Sequence, residues 1–464
     1  MNLINLENKR SAIFILLILG LLTHFLFFSY PNEVVFDEVH FGKFLSAYLT
    51  GDYFFDIHPP LGKMIFAGFA KIIDYKPDFS FNDVGDKFPD ASYKWLRFPP
   101  KLFGAFLPVL VFLVAAELGI SQKGAFFAGL FTVFENALTV QSRFILLDIF
   151  LLDFGFLSIF FYLKWIRKKK QINFFLAILF AVFAGSVKWT GFSFLAIIAL
   201  HHLTENVFKI KKILAAFSYL IIFPLFLYSG LFLIHFYLLP NSGTGNKFHT
   251  PAFQKTFLNS NYYNNSSLAA MSFSDKMIEL NTAMAKSNLA LEVPHPDQSK
   301  WFLWPFMVKA IAYWGDSGES AYSRHIYFTG NFFVWLAGFA GIFFIVFELL
   351  KIVYLRFKKG VVENNFFQPN FSILFLGYVL NFLPFSAIKR SMFLYHYLPA
   401  LIFSILILFY VLDRKIKAQS FFKKYFYIGL FFGAFLFFLI FFPLTYGFLF
   451  PSALHDFLIK LPIF

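Results

Sequence analysis

At 464 residues the chain would make about three soluble domains by length alone, but its composition excludes that: 59% is hydrophobic, 23% aromatic and only 14% charged, against roughly 25% charged in globular proteins. Mean hydropathy is +0.66, and long apolar runs bounded by charge indicate spanning helices, not the alternation over about ten residues of a membrane barrel. The lack of Cys excludes disulfides, thiolate metal sites and cysteine nucleophiles, and 40 basic against 26 acidic residues leave a net +14 that membrane orientation must explain before nucleic acid is considered.

A span needs about 20 mostly apolar residues. The first runs over 12–30, after Lys9 and Arg10, and reads as an anchor because no small-residue cleavage site follows. A polar, aromatic stretch covers 31–97. Spans follow at 98–118, 124–138 and 144–163, then the basic run Lys164 to Lys170. The fifth and sixth, 174–187 and 190–200, are broken by Lys188-Trp189; Lys209, Lys211 and Lys212 precede the seventh, 213–239. The polar segment 240–329 reads as helix and coil. Spans at 331–350, 371–387, 395–412 and 426–442 complete an expected total of about 11, in an all-α polytopic membrane protein. Gly429 and Gly433 form a GxxxG that fits either a packing face or a chance match among 26 Gly.

With the N-terminus in the cytoplasm, every short basic connection (164–170, 209–212, 356–359, 414–424) falls inside and both long polar stretches fall outside. The excess charge is then positive-inside bias, and no nucleic-acid partner is implied. The chain divides into an N-terminal transmembrane region, 1–239, containing the outer loop 31–97; an extracytoplasmic loop region, 240–329; and a C-terminal transmembrane region, 330–464.

Ionisable side chains at bilayer depth are costly, roughly 2.5–3.5 kcal/mol each, and so mark function. In this topology they collect at the outer face: Asp37, Glu38 and His40 after the first span, Asp56 and His58 before Pro59-Pro60, Arg143 with Glu135, Gln141 and Asp148 around it, Lys188 at the helix break, and Lys389, Arg390 and His396 before span ten. Such a one-sided set predicts a single extracytoplasmic site. Asp37 and Glu38 also suit the first turn of a helix, where they would cap it and offset its dipole. Adjacent residues do not share a helix face, so the two acids should differ in role. Arg143 offers a phosphate-matching fork, or else an internal ion pair with Glu135 or Asp148. Lys188 is either functional or a snorkelling side chain. His24, His201, His202 and His235 read as structural. Asp, Glu and His together can hold a divalent metal, but no tight ligand spacing calls for one. With no Walker motif, Asp-x-Asp motif or cytoplasmic domain, a cytosolic nucleotide donor is excluded and a lipid-linked phosphate donor is the alternative.

At these residues the sequence resembles the protein O-mannosyltransferases. The resemblance is carried by Phe36-Asp-Glu-Val-His-Phe-Gly-Lys-Phe44, Tyr53-Phe-Phe-Asp-Ile-His-Pro-Pro-Leu-Gly-Lys63, Glu135-Asn-Ala-Leu with Gln141-Ser-Arg-Phe-Ile-Leu-Leu-Asp148, Ser186-Val-Lys-Trp-Thr-Gly191, His325-Ile-Tyr-Phe-Thr-Gly-Asn331 and Tyr395-His-Tyr-Leu-Pro-Ala400. It implies a GT-C-type glycosyltransferase architecture and transfer of mannose from polyprenyl-phosphate mannose to Ser/Thr hydroxyls of exported polypeptides, possible during translocation, with inversion at the anomeric carbon. It also implies Asp37 as the catalytic carboxylate with Glu38 beside it, and Arg143 at the donor phosphate. Lys188, Arg390 and His396 are further phosphate candidates; His40, Asp56, His58 and Asp148 are other site candidates. No cofactor is required, with a divalent metal the open alternative. Segment 240–329 is too short for the β-trefoil domain of eukaryotic members, as in a bacterial-type member of the cell (inner) membrane. A related lipid-donor glycosyltransferase with a lipid or cell-wall acceptor is the alternative enzyme. A transporter fits less well, because the polar residues gather at one face and no related halves are evident.

Overall fold

A computed structural model describes residues 8–204, 217–290, 294–316, 321–360, 367, 370–416 and 421–464. The basic cluster at 209–212 therefore lies outside the described residues.

Each of the apolar segments expected from the sequence contains a helix. Six are long and apolar enough by themselves to cross a bilayer: Tyr93–Glu117, Asp148–Lys168, Ser218–Leu238, Phe332–Lys359, Leu394–Lys415 and Tyr425–Tyr446. The helices Gln171–Val187, Trp189–Thr204 and Phe371–Ala387 are apolar but shorter, as is Lys9–Phe25. The chain is thus a multi-pass membrane protein. The helix Phe98–Glu117 packs against Lys9–Phe25, Gln122–Val133 and Asp148–Lys168; the last packs also against Gln171–Val187. Leu398–Lys415 is buried against Phe332–Lys359 and Phe371–Leu380.

Backbones approach closely where side chains are small, as bilayer packing favours. A Cβ at Gly20 would lie 2.3 Å from the carbonyl oxygen of Ala105, in the facing helix. The GxxxG at 429–433 is not a helix–helix seam within the chain: Gly429 has open space where its Cβ would be, and Gly433 faces the Phe333 ring.

Two expectations need correction. The run 124–138 is not one helix. It breaks at Phe134 into Gln122–Val133 and Asn136–Ser142, because the buried Glu135 turns inward, its Oε1 accepting from the N–H groups of Ala137 and Asn331 and from Trp335 Nε1. Segment 240–329 is more than helix and coil. It carries the helix Phe273–Ala290 and an antiparallel hairpin, β1 (Ile311–Asp316) with β2 (Tyr322–Phe328), to which β3 (Leu449–Pro451) from the C-terminal tail adds. Alternating burial along the aromatic-rich Tyr322–Phe328 is the period-2 pattern of a half-buried strand. The otherwise all-α fold thus carries a small three-stranded sheet.

The Gly20 contact yields a stability test. Gly20→Val should force the two helices apart and cost roughly 1–3 kcal/mol, as overpacking does, and so lower the midpoint of thermal aggregation in detergent. Gly230→Ala, with nothing within 4 Å of its Cβ position, should not.

Candidate active site

The loop 31–97 is fastened by a buried ion pair. Glu38 and Arg97 are both fully buried. Arg97 Nε donates to Glu38 Oε1 at 2.7 Å and Nη2 to Oε2 at 2.6 Å, the two-pronged geometry that makes Arg–carboxylate pairs strong. Glu38 also accepts from Val35 N and Ile145 N. Arg97 donates further to the carbonyls of Pro31 and Glu33, and lies over the rings of Phe88, Tyr93 and Phe144. Glu38 therefore has no capacity left for substrate. Its expected place beside the reacting groups is corrected to that of an anchor. Arg97 escaped sequence reasoning. The available signal was an Arg at the start of a span, between Lys94 and Lys101.

Asp37 immediately precedes the helix Glu38–Thr50, in right-handed backbone, and its side chain makes no capping hydrogen bond. Capping, which the sequence left open, is not what Asp37 does. Phe36 before it adopts φ 46°, a strained conformation for a bulky residue. It is held there by its N–H bonding Tyr313 O and its ring stacking on Tyr313 at 4.2 Å and 8°. Half-buried, Asp37 lies within electrostatic reach of Lys188, Asp148, Asp56 and His40. Burial raises its carboxyl above the usual range, helped by Asp148 and Asp56 and opposed by His40 and Lys188. His40 itself is exposed.

The other acids are partnered. Asp148 opens the helix Asp148–Lys168 and receives Lys188 Nζ at 2.8 and 2.9 Å and Gln141 Nε2 at 2.6 Å. Gln141 in turn accepts from the Tyr313 hydroxyl. Lys188 sits in extended backbone at the end of Gln171–Val187, before the short turn Trp189–Gly191. That turn requires glycine: a Cβ at Gly191 would lie 2.2 Å from Ala184 O. The break thus puts a lysine at the junction of two short helices, over the Tyr395 ring at 5.1 Å. Asp56 is ion-paired with the buried Lys63, which also donates to His58 O at 2.7 Å.

These elements enclose a cavity of about 370 Å³. Its polar lining includes His58, Asp148, Lys188, Asn288, Arg390 and His396. The rest of its lining is largely apolar, with Leu151, Leu152, Phe192, Leu380, Leu398 and Pro399. Arg390 Nη1 donates to Asn288 Oδ1 at 2.9 Å, and Asn288 donates to Ile57 O. His396 fixes its Nδ1 on Phe393. Burial, with Lys188, Lys63, Arg390 and His396 nearby, holds His58 well below the usual histidine pKa and so neutral. Among the described residues no three His, Asp or Glu side chains converge as a metal site would require.

Arg143 is not among the lining groups. It is fully buried, donating to Thr445 O at 2.7 Å and Tyr30 O at 3.1 Å and lying over Phe144 and Tyr446. It pairs with neither Glu135 nor Asp148. The expectation that it faces the donor phosphate is corrected: it ties the end of the first span to the end of the last. The cations at the cavity are Lys188 and Arg390.

Comparison with known proteins bears on this arrangement. The family model for dolichyl-phosphate-mannose-protein mannosyltransferase matches residues 14–240, and that for the C-terminal four TMM region of protein-O-mannosyltransferase matches residues 273–458. The chain is similar to dolichyl-phosphate-mannose–protein mannosyltransferase 1 of Candida albicans, 37% identical over 246 residues that make 49% of this chain and 28% of the relative. It is similar also to protein O-mannosyl-transferase 2 of Danio rerio, 30% identical over 64% of this chain and 41% of the relative. The chain thus spans well under half the length of these relatives. Among solved structures, the S. cerevisiae protein O-mannosyltransferase Pmt1-Pmt2 complex bound to the sugar donor matches with TM-score 0.87 at 20% identity, covering 95% of this chain and 90% of that one. The oligosaccharyltransferase AglB of Archaeoglobus fulgidus matches with TM-score 0.51 at 12% identity, covering 97% and 57%. The fold is that of the GT-C glycosyltransferases.

The two adjacent acids should separate experimentally. Glu38→Gln leaves the Arg97 guanidinium buried without its counter-charge and should lower stability by about 3–5 kcal/mol. Asp37→Asn removes no partner and should leave the melting midpoint unchanged. Arg143→Ala should lower the midpoint without weakening donor binding. Thermal unfolding beside donor titration checks all three.

Proposed function

The chain belongs to the protein O-mannosyltransferase family, and from that premise we propose that it transfers mannose from polyprenyl-phosphate mannose to Ser or Thr hydroxyls of polypeptides at the outer face of the cell membrane. The observation that carries this reading is the cavity: its lining is largely apolar but includes the cations Lys188 and Arg390, and Asp37, not itself a lining residue and without a cationic partner among the described residues, is within electrostatic reach of Lys188 and Asp148. A polyprenyl chain suits the apolar lining and its phosphate suits Lys188 and Arg390.

The chemistry follows from the side chains. Asp37 takes the proton from the acceptor hydroxyl as its oxygen bonds to the anomeric carbon. The bond from that carbon to the phosphate oxygen breaks, and the lipid phosphate leaves with the electron pair. A phosphate leaves without protonation, so one carboxylate suffices, whereas most glycoside hydrolases need two. Negative charge grows on the phosphate as the bond breaks, and Lys188 and Arg390 stabilise it. One displacement inverts the anomeric centre, turning a β-linked donor into an α-mannoside. In this reading the two side-chain cations suffice without a divalent cofactor, and undiminished turnover in EDTA is the expected result. The N-terminus is cytoplasmic and the loops 31–97 and 240–329 are extracytoplasmic.

Purified protein incubated with polyprenyl-phosphate mannose and a Ser/Thr-rich peptide should yield a mannosylated peptide by mass spectrometry. A product on lipid alone would overturn the acceptor assignment. Asp37→Asn should lower turnover by roughly 10²–10⁴-fold, the usual worth of a positioned base. The base must be ionised to work, and its pKa is raised. Turnover should therefore fall on acidification at a pH above the ordinary Asp value of about 3.9, and this limb should be missing from the residual activity of Asp37→Asn.

Orientation is testable because the chain has no Cys. A cysteine in place of exposed Ser266 should react with an impermeant thiol reagent on whole cells. One in place of exposed Lys168 should react only after permeabilisation.

A further inference from the structure

Beside the cavity lies a second cleft, of about 400 Å³, that shares Arg390 and Ile388 with it. Its walls are the segments 298–302 and 386–392, joined by Ser299 N to Met392 O and by Ser391 Oγ to Gln298 Oε1, both at 2.8 Å. Three cations line it: Lys300, Lys389 and Arg390. None of the three has a carboxylate partner among the described residues. The nearby Asp297 is engaged by Ala312 N. Trp301 and Phe302 also line the cleft, and Phe302, Phe306, Leu383 and Ile388 are exposed around it. Aromatic and aliphatic side chains beside lysines are the composition of a membrane–water interface.

The two spaces differ in charge. In the cavity, Asp148 offsets Lys188, leaving Arg390 as the uncompensated cation. That suits a phosphodiester with its single negative charge. The cleft offers three cations and, among the described residues that line it, no acid. That suits a phosphomonoester, whose charge near pH 7 is about −1.5 to −2. Transfer converts the one into the other: the donor is a diester, and the lipid phosphate left behind is a monoester. We propose that this cleft is the release site for the polyprenyl monophosphate product, which passes from the Lys188 side of Arg390 to the Lys300–Lys389 side and from there to the outer leaflet. The inference rests on the donor reading above and adds a second, post-transfer site to it.

The test compares full-length protein with the double variant Lys300→Gln/Lys389→Gln. Binding of a short-chain polyprenyl monophosphate is measured by native mass spectrometry in detergent, with phosphatidylglycerol and inorganic phosphate as parallel probes. Inhibition by the monophosphate and single-turnover transfer are measured beside it. The monophosphate should bind and inhibit about tenfold more weakly in the double variant, with single-turnover rate, donor KM and phosphatidylglycerol binding unchanged. Inorganic phosphate should bind weakly to both proteins, because it lacks the prenyl chain. Unchanged monophosphate affinity overturns the proposal. An equal loss for phosphatidylglycerol also overturns it, and marks a general anionic-lipid site. A donor KM raised as much as the inhibition constant overturns it too, by making the cleft part of donor binding. Lack of transfer by the unaltered protein would overturn the reaction proposed above, while the binding comparison would still decide what the cleft holds.

Discussion

The loop that carries Asp37 is organised by the Glu38–Arg97 pair. Two buried charges carry a desolvation cost of several kcal/mol per ion, recovered only when the geometry is good and the remaining donors and acceptors are filled. Here they are filled from two places: the start of the loop at Pro31, Glu33 and Val35, and the turn before the fourth span at Ile145. With Arg97 itself at the entry to the second span, the pair fixes the loop 31–97 relative to two spans at once. Because Asp37 adjoins Glu38, fixing one residue fixes the backbone of the other. The strained Phe36, stacked on Tyr313, adds a third point of attachment from the opposite half of the chain.

Tyr313 connects that loop to the cavity. Its hydroxyl donates to Gln141, whose amide donates to Asp148, which holds Lys188. Both faces of Gln141 are thereby used, so its orientation is set and with it the carboxylate that receives the lysine. The fixed carboxylate holds the lysine in place, at the cost of part of its pull on an anion. Among the described residues Arg390 has only the neutral Asn288 as a side-chain partner. Among those residues the cavity thus presents one cation paired with a carboxylate and one without, one on each of two elements.

Much of this was legible in the sequence, and what was not has physical reasons. Apolar run lengths and basic flanks gave the spans, because bilayer thickness constrains them strongly. The gathering of Asp37, Asp56, His58, Asp148, Lys188, Arg390 and His396 at one face followed from the same alternation. Depth along the membrane normal is what such a pattern encodes; lateral position is not. Arg143 and Lys188 are therefore equivalent on paper, yet one is sealed beneath Tyr446 and the other lines a cavity. Glu38 and Asp37 were expected to differ, but only the position of Arg97, 59 residues away, decides which is the anchor. The hairpin Ile311–Phe328 was missed because it lies in a polar segment where short strands give a weak signal beside helices of twenty residues.

Asp37, Glu38, Asp56 and Asp148 begin with nearly the same intrinsic acidity, about 4. The fold makes them unequal by the partners it assigns. Arg97 saturates Glu38, Lys63 pairs with Asp56 and Lys188 pairs with Asp148. A carboxylate whose oxygens already hold a cation is not free to approach an acceptor hydroxyl. Asp37 alone of the four has no such partner among the described residues, and partial burial without compensation makes it more basic, not less. The neighbouring pairs also limit their own influence on it, since each puts a cation beside its carboxylate. The selection of one base from four acids is therefore a consequence of where Arg97, Lys63 and Lys188 lie, and each of these cations is placed by a backbone feature: the start of a span, the first turn of the helix Leu61–Ile72, and the glycine-dependent break after Val187.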